Sequence, residues 1–237
     1  MACPKEPAHV MLVGHSYITH LSPFIDSHLP NLGLPPLSVT VHCLSLPGAT
    51  VCPGRKCINN LTSEILEKKP NIVFLQIGEN DVANGLCPFV VASEITHLVK
   101  SLTNKVERVI VGQLLPFPNL ENKRQEIIAT NQELQQRLSS VPNTKFWQQR
   151  SGFWKPVTNL VTGRKRAEVF APDGVHLSAV GQHKFAFSVR VAVIKALTSI
   201  QYSWQRSHHQ GQSSPSDCSY RYVELVELSV PLEMPDI

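Results

Sequence analysis

Residues 72–77, Ile72-Val73-Phe74-Leu75-Gln76-Ile77, are apolar at every position but one. A strand with one wet face alternates apolar and polar residues, whereas a run with no polar face must be covered on both sides. The chain therefore has to place a central strand between two layers of other structure. Residues 9–13 form a second short apolar run that stops at Gly14, and residues 38–44 alternate and are β-branched. Residues 108–114 read as a fourth strand and 145–147 as a short fifth. Between them lie helical patterns. Ser22-Pro23 reads as a helix start running to His28. Further helical spacings cover residues 58–68, 89–102, 124–138 and 177–200. Strands alternating with helices imply βαβ units and a parallel sheet clad on both faces. A chain of 237 residues suffices for one sizeable core.

After Tyr202 the character changes. Residues 203–219 are polar and read as disordered, too poor in apolar groups to offset the entropy of ordering them. Val223-Glu224-Leu225-Val226-Glu227-Leu228 alternates, which fits an edge strand, a partner-binding strand or an unstructured tail. The division is a domain over residues 1–202 and a tail over 203–237.

Function in an open α/β sheet gathers at the carboxyl ends of the strands. Three irregular segments fall there: Gly14-His15-Ser16, Pro47-Gly48, and Gly78-Glu79-Asn80-Asp81. A fourth, Asp173-Gly174-Val175-His176, precedes the last helical pattern. Each alone reads as turn or cap chemistry. In this order they supply a serine nucleophile, a histidine base with a carboxylate three residues before it, and oxyanion donors.

These four blocks resemble those of the SGNH hydrolases, the GDSL-type esterase and lipase superfamily, over residues 9–200. The resemblance implies a flavodoxin-like three-layer α/β/α sandwich with a central parallel sheet of about five strands. It implies Ser16 as nucleophile, His176 as base and Asp173 as the orienting acid. It also implies an oxyanion hole from the Ser16 and Gly48 amides and the Asn80 side chain. One position departs: the family usually has Asp where this chain has His15. A carboxylate there can accept several backbone N–H bonds, whereas an imidazole accepts at most one. The expected function is hydrolysis of a carboxylic ester, acyl or acetyl, through an acyl-enzyme on Ser16. The substrate would be a small-molecule, lipid or carbohydrate ester, and no metal or organic cofactor is implied. The His15 departure keeps open a catalytically weak or inactive binding module on the same fold. The sequence also resembles esterase domains of mobile-element proteins, although no coiled coil or RNA-binding motif is visible in it.

A net charge of +4 is too mild to require nucleic acid as a partner. Arg150, Lys155, Arg164, Lys165 and Arg166 form a basic stretch before Asp173, which reads as a solvated loop or as an anion- or nucleic-acid-binding segment near the site. Trp147, Phe153 and Trp154 read as core packing or as the lining of an acyl pocket. The six cysteines contain no C-x-x-C, so no zinc pattern arises. Cys52 and Cys57 share a loop and could pair, but nothing else points to an oxidising compartment. Residues 1–8 lack the apolar stretch of a signal peptide, and no run reaches the roughly 18 apolar residues of a membrane span. The expected compartment is the cytosol. The oligomeric state is not legible.

Overall fold

A computed structural model of the chain describes residues 7–149, 153 and 169–209, the side chains of 202–209 excepted. Five strands form one sheet: β1 (Ala8–Gly14), β2 (Val39–Ser45), β3 (Ile72–Gln76), β4 (Arg108–Gly112) and β5 (Thr144–Trp147). Their spatial order is β2-β1-β3-β4-β5, and every neighbouring pair is parallel. The expected three-layer α/β/α architecture is thus present. The helices are α1 (Ser16–His28), α2 (Thr62–Glu67), α3 (Glu79–Ala83), α4 (Pro88–Thr103), α5 (Arg124–Leu138) and α6 (Ala179–His209). α1 packs against α6, and α4 packs against α5.

All five residues of β3 are buried, as four consecutive apolar residues require, and its last residue, the polar Gln76, is buried with them. Phe74, at its centre, is fully buried and meets Phe185 of α6 edge-on, with ring centroids 6.4 Å apart. Burying such a side chain contributes about 3 kcal/mol. The edge strand β2 has only Val39 fully buried, in keeping with its alternating sequence. In register, Gly14 of β1 lies beside both Ser45 of β2 and Gln76 of β3. The three strand ends, and the loops they launch, are therefore side by side at the point where the strand order reverses.

The first helix departs from its sequence signal. Ser22-Pro23 does not start it: α1 begins at Ser16, and Pro23 sits inside. An interior proline forfeits one backbone bond and costs about 3 kcal/mol. α1 offsets this by burying Tyr17, Ile18, Leu21 and Ile25 and by capping on His15. The residue expected on a strand-end turn is instead the first residue of a helix. Residues 58–68 divide into a 3-10 turn, Ile58–Leu61, followed by α2. The Gly78–Asp81 segment carries a short helix, α3, that its turn-like composition conceals. α6 runs to His209, past the 202 boundary; residues 210–237 lie outside the described residues.

Candidate functional site

Ser16 is the first residue of α1, so its N–H has no partner in the helix's own ladder. The approach of β1 to β3 sets its height. A Cβ on Gly14 would collide with the carbonyl oxygen of Gln76, so only glycine lets the two strand ends close. The His15 N–H then donates to that same carbonyl at 3.3 Å.

Pro47 and Gly48 occupy the centre of a turn closed by Ala49 N–H donating to Leu46 O at 2.9 Å. Gly48 has φ +73°, the left-handed value that the third position of a type II turn requires. The turn is fastened to β1 by Leu46 N–H donating to Gly14 O at 3.0 Å.

In Gly78-Glu79-Asn80-Asp81 the last three residues each hold a different partner. Asn80 Nδ2 donates to Ala49 O at 2.8 Å, which orients the amide against the Gly48 turn and leaves its second N–H. The Asp81 carboxylate accepts from Val51 N at 2.9 Å and Cys52 N at 3.0 Å, pinning the loop that follows Gly48. Burial outweighs these amide bonds and raises the Asp81 carboxyl above its ordinary range. Glu79, fully buried, reaches His15: Glu79 Oε2 lies 2.8 Å from His15 Nε2. Burial acts most strongly on Glu79 and pushes its pKa up. His15 and the Leu115 N–H together outweigh it, so the carboxyl is held below its ordinary value.

Asp173 and His176 form a compact pair. Asp173 Oδ2 lies 2.7 Å from His176 Nδ1, and Oδ1 accepts from the Val175 and His176 N–H groups at 2.9 Å each. The amide bond from Val175, then the His176 side chain and amide, hold Asp173 down at about 2. Asn119 clamps the turn, its N–H donating to Gly174 O at 3.0 Å and its Nδ2 to Asp173 O at 2.8 Å.

Two contacts bring this turn to α1. The Tyr17 hydroxyl donates to Val175 O at 3.3 Å, and the His20 ring meets the His176 ring edge-on at 4.6 Å. His20 lies one helical turn beyond Ser16. Partial burial, then the nearby His176, lowers the His20 pKa. Ser16, Asn80 and His176 are half-buried and Gly48 is exposed, so a small molecule can reach all four. No hydrogen bond joins Ser16 to His176 among the described residues. The fold thus gathers all five expected site residues at one sheet edge. Sequence reasoning missed Glu79, Asp81, Asn119 and His20. No signal along the chain pointed to Glu79, whose partner His15 stands 64 positions away.

The family model described as GDSL-like Lipase/Acylhydrolase matches residues 22–189, well over half of the chain. The chain belongs to this family. The GDSL-like match takes in Gly48, Asn80, Asp173 and His176 and begins after the His15-Ser16 segment. Among solved structures, an acetylxylan esterase of Geobacillus stearothermophilus is similar at 16% identity and a TM-score of 0.56, over 78% of this chain and 94% of that one. A lipolytic G-D-S-L family protein of Veillonella parvula is similar at 15% identity and a TM-score of 0.57, over 76% of this chain and 95% of that one. No curated protein matches in sequence. These likenesses show that the GDSL-type fold is shared.

Cys52 and Cys57 are separate thiols, both buried, and Cys57 Sγ donates to Val51 O at 3.3 Å. Burial and the adjacent Asp81 push the Cys52 thiol up to about 12, which leaves it inert as a nucleophile. Phe153 is buried in the core, and Trp147 is half-buried with Nε1 donating to Ser188 Oγ at 2.9 Å. Arg150, Trp154, Lys155, Arg164, Lys165 and Arg166 lie outside the described residues. Among the described residues, no group of three or more His, Cys, Asp or Glu side chains could hold a metal ion. No helix there is long and apolar enough to cross a membrane.

Proposed function

We propose that this chain is a serine esterase that hydrolyses a carboxylic ester through an acyl-enzyme on Ser16. The observation that carries the reading is the docking of the Asp173–His176 pair against α1, the helix that begins with Ser16. Asp173 accepts at His176 Nδ1, which fixes the ring tautomer and leaves Nε2 free to act as base. His176 takes the Ser16 proton as Oγ attacks the ester carbonyl. The oxyanion of the tetrahedral intermediate receives the Ser16 and Gly48 N–H groups and the second Asn80 N–H. Collapse breaks the bond to the alcohol, which leaves with the proton from His176. Water then attacks the acyl-serine with His176 again as base, and Ser16 recovers its proton.

The acetylxylan esterase among the structural neighbours makes an acetylated carbohydrate the first substrate to try. Lipid and small-molecule esters come next. The reading includes a cytosolic location, the compartment that keeps thiols such as Cys52 and Cys57 reduced.

The deciding experiment is labelling with a fluorophosphonate probe alongside p-nitrophenyl acetate hydrolysis. Wild type is expected to label and turn over, and Ser16→Ala to do neither. Equal labelling of the two would remove Ser16 from the mechanism. A folded wild type that neither labels nor hydrolyses would favour the binding module.

A further inference from the structure

His15 and Glu79 are each the immediate chain neighbour of a proposed oxyanion donor. His15 precedes Ser16 at the start of α1, and Glu79 precedes Asn80 at the start of α3. Their side chains meet at 2.8 Å, with 3% and 0% of their side-chain surface exposed. Nothing about a turn or a core demands a buried imidazole and a buried carboxylate at these two positions. Removing two such groups from water is expensive unless each atom is matched.

The matching is nearly complete. Glu79 Oε2 faces His15, while Oε1 accepts from Gln76 Nε2 at 2.6 Å and from Leu115 N at 3.1 Å. The carboxylate thus receives donors only. His15 Nδ1 accepts the Tyr17 N–H at 3.4 Å, capping α1, and its ring packs 4.8 Å from that of Tyr17. A ring nitrogen that accepts carries no proton, so the imidazole proton sits on Nε2 and is donated to Glu79. One tautomer satisfies the cap and the carboxylate together. The other satisfies neither.

We propose that His15 and Glu79 form a positioning pair that sets the spacing of the oxyanion hole, with Glu79 supplying the carboxylate that the family usually places directly before the serine. This inference rests on the esterase reading above. Glu79 dictates the tautomer of His15. That tautomer holds the cap of α1, and the cap fixes the direction of the Ser16 N–H. The same 2.8 Å bond ties that N–H to the segment carrying Asn80. The two positions therefore act as one unit, and the His15 departure is compensated within the site.

Glu79→Gln tests this because it keeps the volume and inverts the chemistry. Gln76 and Leu115 are both donors toward Oε1, so the glutamine oxygen must face them and its NH2 must face His15. The ring then has to accept at Nε2 and carry its proton on Nδ1, which abolishes the cap. The expected result is a fall in kcat of about 10²-fold, the scale of one oxyanion donor, with KM within about twofold. kcat is taken per site counted by fluorophosphonate titration. A pair serving stability alone would lower Tm and the number of sites while leaving kcat per site unchanged. His15→Asn retains a capping oxygen but cannot reach Glu79, and it is expected to lose kcat as well. The double variant His15→Asn/Glu79→Gln should lose no more than the worse single variant, because the unit is already broken.

The ring tautomer is read independently of activity from the nitrogen shifts of ¹⁵N-labelled protein. In wild type His15 should carry its proton on Nε2. A proton on Nδ1 in wild type, an unchanged kcat per site in Glu79→Gln, or losses that multiply in the double variant would each overturn the pair. If Glu79→Gln does not fold, His15→Asn and the wild-type tautomer decide. A wild type that neither turns over ester nor labels at Ser16 would instead overturn the esterase reading, and the tautomer would still judge the pair.

Discussion

Asp173 Oδ2 lies 2.7 Å from His176 Nδ1, while the other oxygen of the same carboxylate holds the Val175 and His176 amides at 2.9 Å each. One side chain thus shapes the turn and orients the proposed base. Both residues are exposed enough to meet solvent, so the hydrogen bonds rather than burial hold the carboxylate ionised.

From this geometry Asp173→Asn is expected to leave the fold intact and lower kcat by about 10³–10⁴, because an amide NH2 facing Nδ1 selects the wrong ring tautomer. Steady-state kinetics with a circular dichroism control checks it. Retention of full kcat would take Asp173 out of the site.

The same carboxylate sets a pH expectation. Its pKa falls from 3.8 unfolded to about 2 folded. Its contribution to stability is therefore fully present above the unfolded value and lost as pH falls through about 2. Any loss of kcat/KM between pH 4 and 7 must come from another group. Acid unfolding followed by circular dichroism checks the sign: Asp173→Asn should lack the part of the stability that wild type loses as pH falls through about 2, and identical acid profiles would overturn it.

Asn80→Ala should reduce kcat by about 10²–10³, as loss of one oxyanion donor does elsewhere. The variant also frees Ala49 O, so a small loss of Tm accompanies it. Unchanged turnover in a folded variant would end the oxyanion role of Asn80.

Asp81→Asn probes the loop behind the hole. One of the two amides, Val51 N or Cys52 N, would then face a donor instead of an oxygen. An unsatisfied buried amide costs about 1–3 kcal/mol, and the Gly48 turn just before it should loosen. Chemical denaturation and kcat together test this: both should fall, whereas a fall in stability alone would detach Asp81 from the site.

Removing the chain beyond His209 is expected to leave ester hydrolysis within about twofold, since every proposed catalytic group precedes it. Ending at Ser203 would cut the last turns of α6, which runs to His209. A soluble, inactive chain ending at His209 would show that residues 210–237 belong to the working unit.

The parallel sheet, its two clad faces and the site blocks follow from one-dimensional information, whereas the strand order is a finding of the structure. An apolar run such as that of residues 72–75 fits a strand covered on both faces, and glycine-bearing segments after such strands lie at their ends. The α/β class, the five strands and the gathering of Ser16, Gly48 and Asn80 at one edge were legible for that reason, while Asp173 and His176 joined them only through the resemblance of the four blocks to a family. Local rules failed where tertiary burial outweighed them. Pro23 reads as a helix start, yet α1 runs through it, because burying Tyr17, Ile18, Leu21 and Ile25 outweighs one lost backbone bond. The meaning of His15 was beyond the sequence altogether. Its partner stands 64 positions away, and only the pairing of β1 with β3 brings the His15 and Glu79 side chains to 2.8 Å. Patterns along the chain report which face of a segment is apolar. The partner of a buried charge is decided by strands that meet only in the folded sheet.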